Sequence, residues 1–377
     1  MALPDIFLNT SWSVQYIPGV RKRMHTLHSL VEASEEQAVA ARQLKALSED
    51  CCRYLQTLGR LEPRDELNDE SEKTGQLREC VITQVWPQST SASTVSQRHC
   101  LGLSIEVRYQ KTTYQVILMA RRSFDENECP LTAILYKASQ STVKHIKNWL
   151  DFKFGLPSAW PLQLPSEMLP RMCSSYITLL TESWTAATDY TDAWRQATLK
   201  QAIGKLKLTI AFSSATGTEI APKLKTLDLD LPSESTNLLL ERASQRSHAR
   251  GAVQDTFLDE LARAIHEKTG LRLPLTGAPS LGGNQVNKNA TGTREAGQDS
   301  QNSTPPAEPP LKVTKITCAA FAISVDGKLK LASKPIENAD VVGYQEDVVR
   351  QAYWQLIDIV REEAERRGKE HDDQRSS

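Results

Sequence analysis

Between residues 100 and 165 the hydrophobic period of the chain changes. Leu101, Leu103, Ile105, Val107 and Tyr109 alternate with Gly102, Ser104, Glu106 and Arg108, the period of two that a strand half-buried in a sheet requires. Two denser apolar runs follow, at 114–120 and 131–136, separated by the polar stretch 121–127. The pattern then turns helical. Ser141 is placed to cap a helix in which Val143, Ile146, Trp149 and Leu150 share one face, with Gly155 to end it and Pro157 to block its continuation. The extended segment 160–164 closes a unit of sheet followed by packed helix.

The rest of the chain is fitted around that unit. Residues 6–20 read as an extended apolar segment, with Phe7, Trp12, Val14 and Tyr16 as core or sheet residues and a turn at Pro18-Gly19. Apolar residues at helical spacing predict a helix over 30–58, the charged stretch 60–73 a loop, and 76–86 a strand. Residues 168–180 fit either a helix or a strand, and 182–194 carry no assignable period. The strand signature returns at 206–212, where Leu206, Leu208, Ile210 and Phe212 oppose Lys205, Lys207 and Thr209. Its partner run alternates Leu227, Leu229 and Leu231 with Asp228 and Asp230. Pairing the two sets lysines opposite aspartates, contacts of about 0.2–1 kcal/mol each that fix register more than stability. Residues 251–269 form an amphipathic helix with Val253, Phe257, Leu261, Ala264 and Ile265 on one stripe, ended by Gly270 and followed by an extended segment with Pro274. That order repeats the one at 141–165 and points to two related α+β lobes.

Residues 277–310, rich in Gly, Asn, Ser, Thr and Pro, bury too little apolar surface to offset their ordering entropy and read as a flexible insertion. Residues 313–325 read as one strand, turned at Asp326-Gly327 into Leu329-Lys330-Leu331. A final helix is predicted over 345–367, with a frayed charged tail from 368. The organisation is therefore an N-terminal lobe at 1–165, a second lobe at 166–276, the insertion at 277–310, a hairpin and helix at 311–367 completing the second lobe, and a tail at 368–377.

Composition sets the outer bounds. The 377 residues are 40% apolar and 24% charged, which supports a sizeable core in one large or two medium domains. A formal net charge of -1 provides no global field toward nucleic acid or an anionic membrane. Seven cysteines, an odd number without a CxxC pair, suit buried thiols in a reducing compartment. The first residues lack a basic-then-apolar leader and no stretch has the length to span a bilayer, so a soluble intracellular protein is expected.

The chain has no HExxH, GxSxG or P-loop sequence, and Gly282-Gly283 has no Lys-Ser/Thr after it. Asp228 and Asp230 read as the solvated face of a strand, and His25 and His28, three residues apart, as two ordinary polar histidines rather than a metal site. Arg21-Lys22-Arg23, Arg121-Arg122, Arg171 and the Lys200, Lys205 and Lys207 group could together form a phosphate-contacting patch, the lysines otherwise being a solvated strand face. The final hairpin and helix carry more apolar material than one solvent-facing element needs. Ile316, Phe321, Ile323, Val325, Leu329 and Leu331 lie on the hairpin, and Val349, Tyr353, Trp354 and Leu356 on the helix. A surface of this kind is buried at home or gripped by a partner.

Three landmarks then coincide with a known family. The segment Phe7-Leu8-Asn9-Thr10-Ser11-Trp12, the run from Ile146 to Gly155 leading to Trp160-Pro161-Leu162, and Phe257 to Gly270 followed by Leu273-Pro274-Leu275-Thr276 resemble the centromere protein L (CENP-L) family. Its fungal members belong to the inner-kinetochore Sim4/Ctf19-type complex. The resemblance implies a non-enzymatic α+β protein without cofactors, built of curved antiparallel sheets with packed helices and related in fold to the bacterial recombination-associated protein RdgC. It also implies a partner, centromere protein N (CENP-N), contacted through the C-terminal region, with other inner-kinetochore subunits nearby at nuclear centromeric chromatin. In that light the ten hairpin and helix residues named above become candidate contacts for a heterodimer or homodimer, and Lys205 and Lys207 candidate DNA-facing groups. Direct DNA binding of the RdgC type is the alternative reading.

Overall fold

The computed structural model describes residues 3–18, 24–32, 38–61, 73–87, 100–122, 128–186, 192–212, 225–250, 253–275, 311–333 and 342–376. Its strands are β1 (Ser11–Tyr16), β2 (Leu77–Val85), β3 (Gly102–Tyr109), β4 (Thr113–Ala120), β5 (Leu131–Lys137), β6 (Trp160–Pro161), β7 (Leu206–Phe212), β8 (Thr226–Leu231), β9 (Leu311–Thr317), β10 (Phe321–Ser324) and β11 (Lys328–Leu331). Its helices are α1 (His25–Glu32), α2 (Ala38–Leu61), α3 (Gln140–Phe154), α4 (Met168–Ala186), α5 (Asp192–Ile203), α6 (Ser233–Arg250), α7 (Val253–Thr269) and α8 (Val342–Ser376). The architecture is α+β, as the sequence pattern predicts.

The strands make one antiparallel sheet in the order β2-β3-β4-β5-β1-β11-β10-β9-β7-β8, with β6 added to β1. The N-terminal strand β1 is the joint. Ser11 to Ser13 pair with β11 and Ser13 to Tyr16 with β5, so the N-terminal run ties the two halves of the sheet together. Its alternation does this work: Trp12 and Val14 enter the larger core while Ser11 and Ser13 face away.

Two cores sit on opposite faces. The first packs α1, α2 and α3 against Ile82, Leu103, Ile105, Val107, Val116 and Leu118. The second gathers α4 to α8 over Ile117, Met119 and Leu135 and over the inner residues of β7 and β9–β11. Strands β3 to β5 are thus covered on both sides. Even Ser104, on the side read as polar, is buried.

Local signals explain most boundaries. In α3 the predicted face Val143, Ile146, Trp149 and Leu150 is buried. Its cap is Ser139 rather than Ser141, the Ser139 hydroxyl accepting the Thr142 N–H at 3.2 Å. Gly155 ends it in the left-handed region at φ 63°, donating to the Asp151 carbonyl. The hairpin β10–β11 turns through Ser324 to Gly327, with the Gly327 N–H on the Ser324 carbonyl and φ +66° at Gly327.

Three expectations need correction. The run 313–325 is two strands, because the backbone reverses at 318–320 with the Cys318 N–H on the Phe321 carbonyl at 2.8 Å. Small residues there allow the turn without Gly or Pro. Residues 168–186, ambiguous by period, are helical, and 233–250, where no element was predicted, form α6. The last helix does not stop at Gly368 but runs to Ser376. Arg366 and Arg367 pair with Glu363 and Glu370 along it, and the His371 ring packs 6.3 Å from Tyr16 and 5.7 Å from Trp160. The insertion read at 277–310 lies outside the described residues.

Candidate partner interface

The candidate contacts divide sharply by burial. Ile316 on β9, Phe321 and Ile323 on β10, and Leu329 and Leu331 on β11 point inward and are buried, as are Val349, Tyr353 and Leu356 on α8. The Phe321 ring meets Tyr176 of α4 edge-on at 5.1 Å, and Tyr176 stacks on Tyr353 at 5.8 Å. This is a correction: these eight side chains form the chain's own core. Each apolar one contributes about 1.5–3 kcal/mol by leaving water, and a partner could reach them only by prising the fold apart. Val325, at the hairpin turn, and Trp354 are the two left half-buried. The Arg361 guanidinium lies 5.5 Å from the Trp354 ring centre.

The hairpin lies inside the sheet. Strand β11 is paired by β1 and β9 by β7, so the sheet ends at β2 and β8. The β2 end is covered: Ser48 of α2 accepts the Ile82 N–H at 2.9 Å. No strand among the described residues pairs with the outer side of β8.

Strand β8 has the alternation read from the sequence. Leu227, Leu229 and Leu231 are half-buried, and Asp228 and Asp230 are exposed on the other face. Register sets Lys207 opposite Asp230 and Thr209 opposite Asp228. The Lys207 ammonium is 2.9 Å from Asp228 and 3.8 Å from Asp230, and the Thr209 hydroxyl donates to Asp228 at 2.7 Å. The Thr209 hydroxyl and the Lys207 ammonium hold the Asp228 carboxyl below the usual carboxylate range, and Asp228 in turn raises Lys207. The predicted cross-strand pairing therefore forms.

It also changes the reading of the two DNA-facing candidates. Lys207 is partnered by two carboxylates, while Lys205 is exposed. The remaining basic residues do not converge on them. Arg121 is buried, Arg122 pairs with Asp358 and Glu362, Lys200 pairs with Glu241, and residues 21–23 lie outside the described residues. A different group of lysines does assemble. On the sheet face opposite α4–α8, one cross-strand row runs Ser11, Lys330, Ala322, Thr317, Lys207, Asp230. The next runs Ser13, Lys328, Ser324, Lys315, Thr209, Asp228. Lys315, Lys328 and Lys330 are exposed, with small residues between them. Their signal is present in the alternation Lys328-Leu329-Lys330-Leu331, whose polar half faces away from the core.

Chemistry of other kinds finds little support in the geometry. Among the described residues no group of three or more His, Cys, Asp or Glu is placed to hold a metal ion. His28 is buried with Nε2 2.8 Å from the Glu128 carbonyl, tying α1 to the segment before β5. All seven cysteines are free thiols and six are buried, as their scatter along the chain led one to expect. No helix is long and apolar enough to cross a membrane among the described residues.

A search of curated proteins returned no match for the chain. The family model described as centromere protein L matches residues 7–365, which takes in every strand and most of α8. The chain therefore belongs to the centromere protein L family, structural subunits of the kinetochore found at the centromere in the nucleus.

Proposed function

We propose that this chain is a non-enzymatic scaffold subunit that pairs with a centromere protein N-like partner at centromeric chromatin, and so supports kinetochore assembly and chromosome segregation. The outer side of β8, with which no strand among the described residues pairs, carries the reading. It offers backbone hydrogen-bonding groups, half-buried leucines on one face and two carboxylates on the other. An extended partner segment alternating basic and apolar residues complements it, with main-chain bonds giving affinity and side chains giving choice. A second copy of this chain fits less well. Antiparallel self-pairing centred on Leu229 sets Asp228 opposite Asp230 of the other copy, and like charges directly opposed are destabilising. As part of the same reading, the repeated order of helix, glycine and extended segment supports two related lobes of RdgC-like type divided near residue 165.

The test is co-purification from cells of the wild type and of Asp228→Arg/Asp230→Arg, with the thermal midpoint of each chain measured in parallel. A folded double variant that loses the kinetochore partner supports the edge. Unchanged recovery removes β8 from the interface, and a wild type that recovers no such partner removes the pairing itself.

One observation favours a second reading, direct contact with DNA. The rows bearing Lys315, Lys328 and Lys330 present exposed ammonium groups with small residues between them, with Lys312 on the same strand. Phosphate contact through such groups makes affinity fall steeply with salt. Binding to duplex DNA that weakens with salt, and that is lost in Lys315→Glu/Lys328→Glu, is the expected result.

A further inference from the structure

Helix α2 lies along the outer side of β2, and the two elements keep step. Four helical residues advance about 6 Å and two strand residues about 6.8 Å. Ser48 of α2 meets Ile82, and four residues further on Cys52 comes level with Cys80, two residues back along the strand, both lining the same groove. The Cys80 thiol contacts both Cys51 and Cys52. These three are not equivalent. Cys51 is fully buried and Cys80 nearly so. Cys52 is half-buried, takes the Gln56 amide at 3.7 Å, and lines with Cys80 a groove of about 610 Å³ between α2 and β2.

We infer that Cys52 and Cys80 are an oxidisable pair, closed by a peroxide into a disulfide that locks α2 onto the outer side of β2. The groove admits the oxidant to Cys52. The Cys52 sulfur attacks the peroxide O–O bond, giving a sulfenic acid and one water. The Cys80 sulfur then attacks the Cys52 sulfur, forming the S–S bond and releasing the hydroxyl as a second water. Two electrons leave the two sulfurs, the peroxide is reduced to two waters, and both thiol protons leave in them. A small-molecule thiol reverses the link by exchange. Because the thiolate is the nucleophile, and burial and the neighbouring sulfurs hold both thiols protonated, closure accelerates as pH rises. The lock would hold the Ile82 N–H on Ser48 and keep this end of the sheet from pairing with another chain.

The test is treatment of the purified full-length chain with hydrogen peroxide, alkylation of remaining thiols, and mapping of linked peptides by mass spectrometry. A Cys52–Cys80 link is expected, faster at higher pH, retained in Cys51→Ser, lost in Cys52→Ser, and accompanied by slower hydrogen exchange at the Ile82 amide that a thiol reductant restores. Cys173 and Cys318 also neighbour each other, but both are buried where Cys52 is half-buried, and they should remain thiols. A link from Cys51 to Cys80 as the main product, over-oxidation of Cys52 without a link, or unchanged exchange at Ile82 would each overturn the assignment.

Discussion

The Tyr353 hydroxyl of α8 donates to the Ala320 carbonyl at 2.9 Å, within the turn that separates β9 from β10. The final helix is thereby fastened to the reversal in the final strands, and both are fastened to α4 through Tyr176 and Phe321. Replacing Tyr353 by Phe should cost about 0.5–1.5 kcal/mol, the net value of a buried hydrogen bond. Denaturant midpoints of the isolated chain would measure it.

Phe321 separates core from interface directly. As a core side chain, Phe321→Ala should lower the stability of the chain alone by about 3–5 kcal/mol, the usual cost of deleting a buried phenyl ring. An interface residue would leave the isolated chain nearly unchanged and weaken only complex formation. Urea unfolding without any partner present distinguishes the two.

Asp358 and Arg361 are both buried on α8 and pair with each other, and Asp358 also receives Arg122 from the segment after β4. Deleting the Asp358 carboxylate takes from the buried Arg361 its hydrogen-bonded ion-pair partner. Asp358→Ala should therefore destabilise by about 3–5 kcal/mol. Arg122→Ala removes a half-exposed partner and should cost less than about 1 kcal/mol. Thermal unfolding of the pair of variants would show the difference.

Alkaline stability follows from the thiols. Burial raises Cys100 and Cys129 from 9.0 to about 11, and Cys318 to about 12. The folded state therefore keeps protons that the unfolded chain releases above about pH 9. Their contribution is complete below that pH and is lost as pH climbs through the folded values. Unfolding free energy should be flat with respect to these groups from pH 7 to 9 and decline toward pH 11, measured by denaturant titration at each pH.

Gly327 sits at φ +66°, and a Cβ placed there would lie 2.4 Å from the Leu162 carbonyl oxygen. Gly327→Ala should destabilise by more than about 1 kcal/mol, because strain and clash outweigh the benefit of a lower entropy in the unfolded chain. A lowered thermal midpoint with an unchanged denaturant slope is the expected signature.

The alternation at 101–109 and 206–212, the helical face at 143–150, and the Gly155 and Gly327 stops were legible in the sequence because each depends on neighbours within a few residues. The pairing of Lys207 with the β8 aspartates was legible too, since two short strands of matched period have few ways to align. The family was readable from the order of a few aromatic and glycine landmarks. What lay beyond reach was where strands separated by hundreds of residues meet. The apolar stripe of β9–β11 and α8 is the same whether a partner or the chain covers it. Only the placement of β1 against β11, and of α4 across from Phe321 and Tyr353, decided for the chain. The same placement set the hairpin in the middle of the sheet and left β8 at its end, with no strand among the described residues on its outer side. It also set Lys315 and Lys328 on either side of Ser324, and Cys52 against Cys80. Local pattern specifies which side of an element avoids water, but long-range pairing alone determines what lies against it.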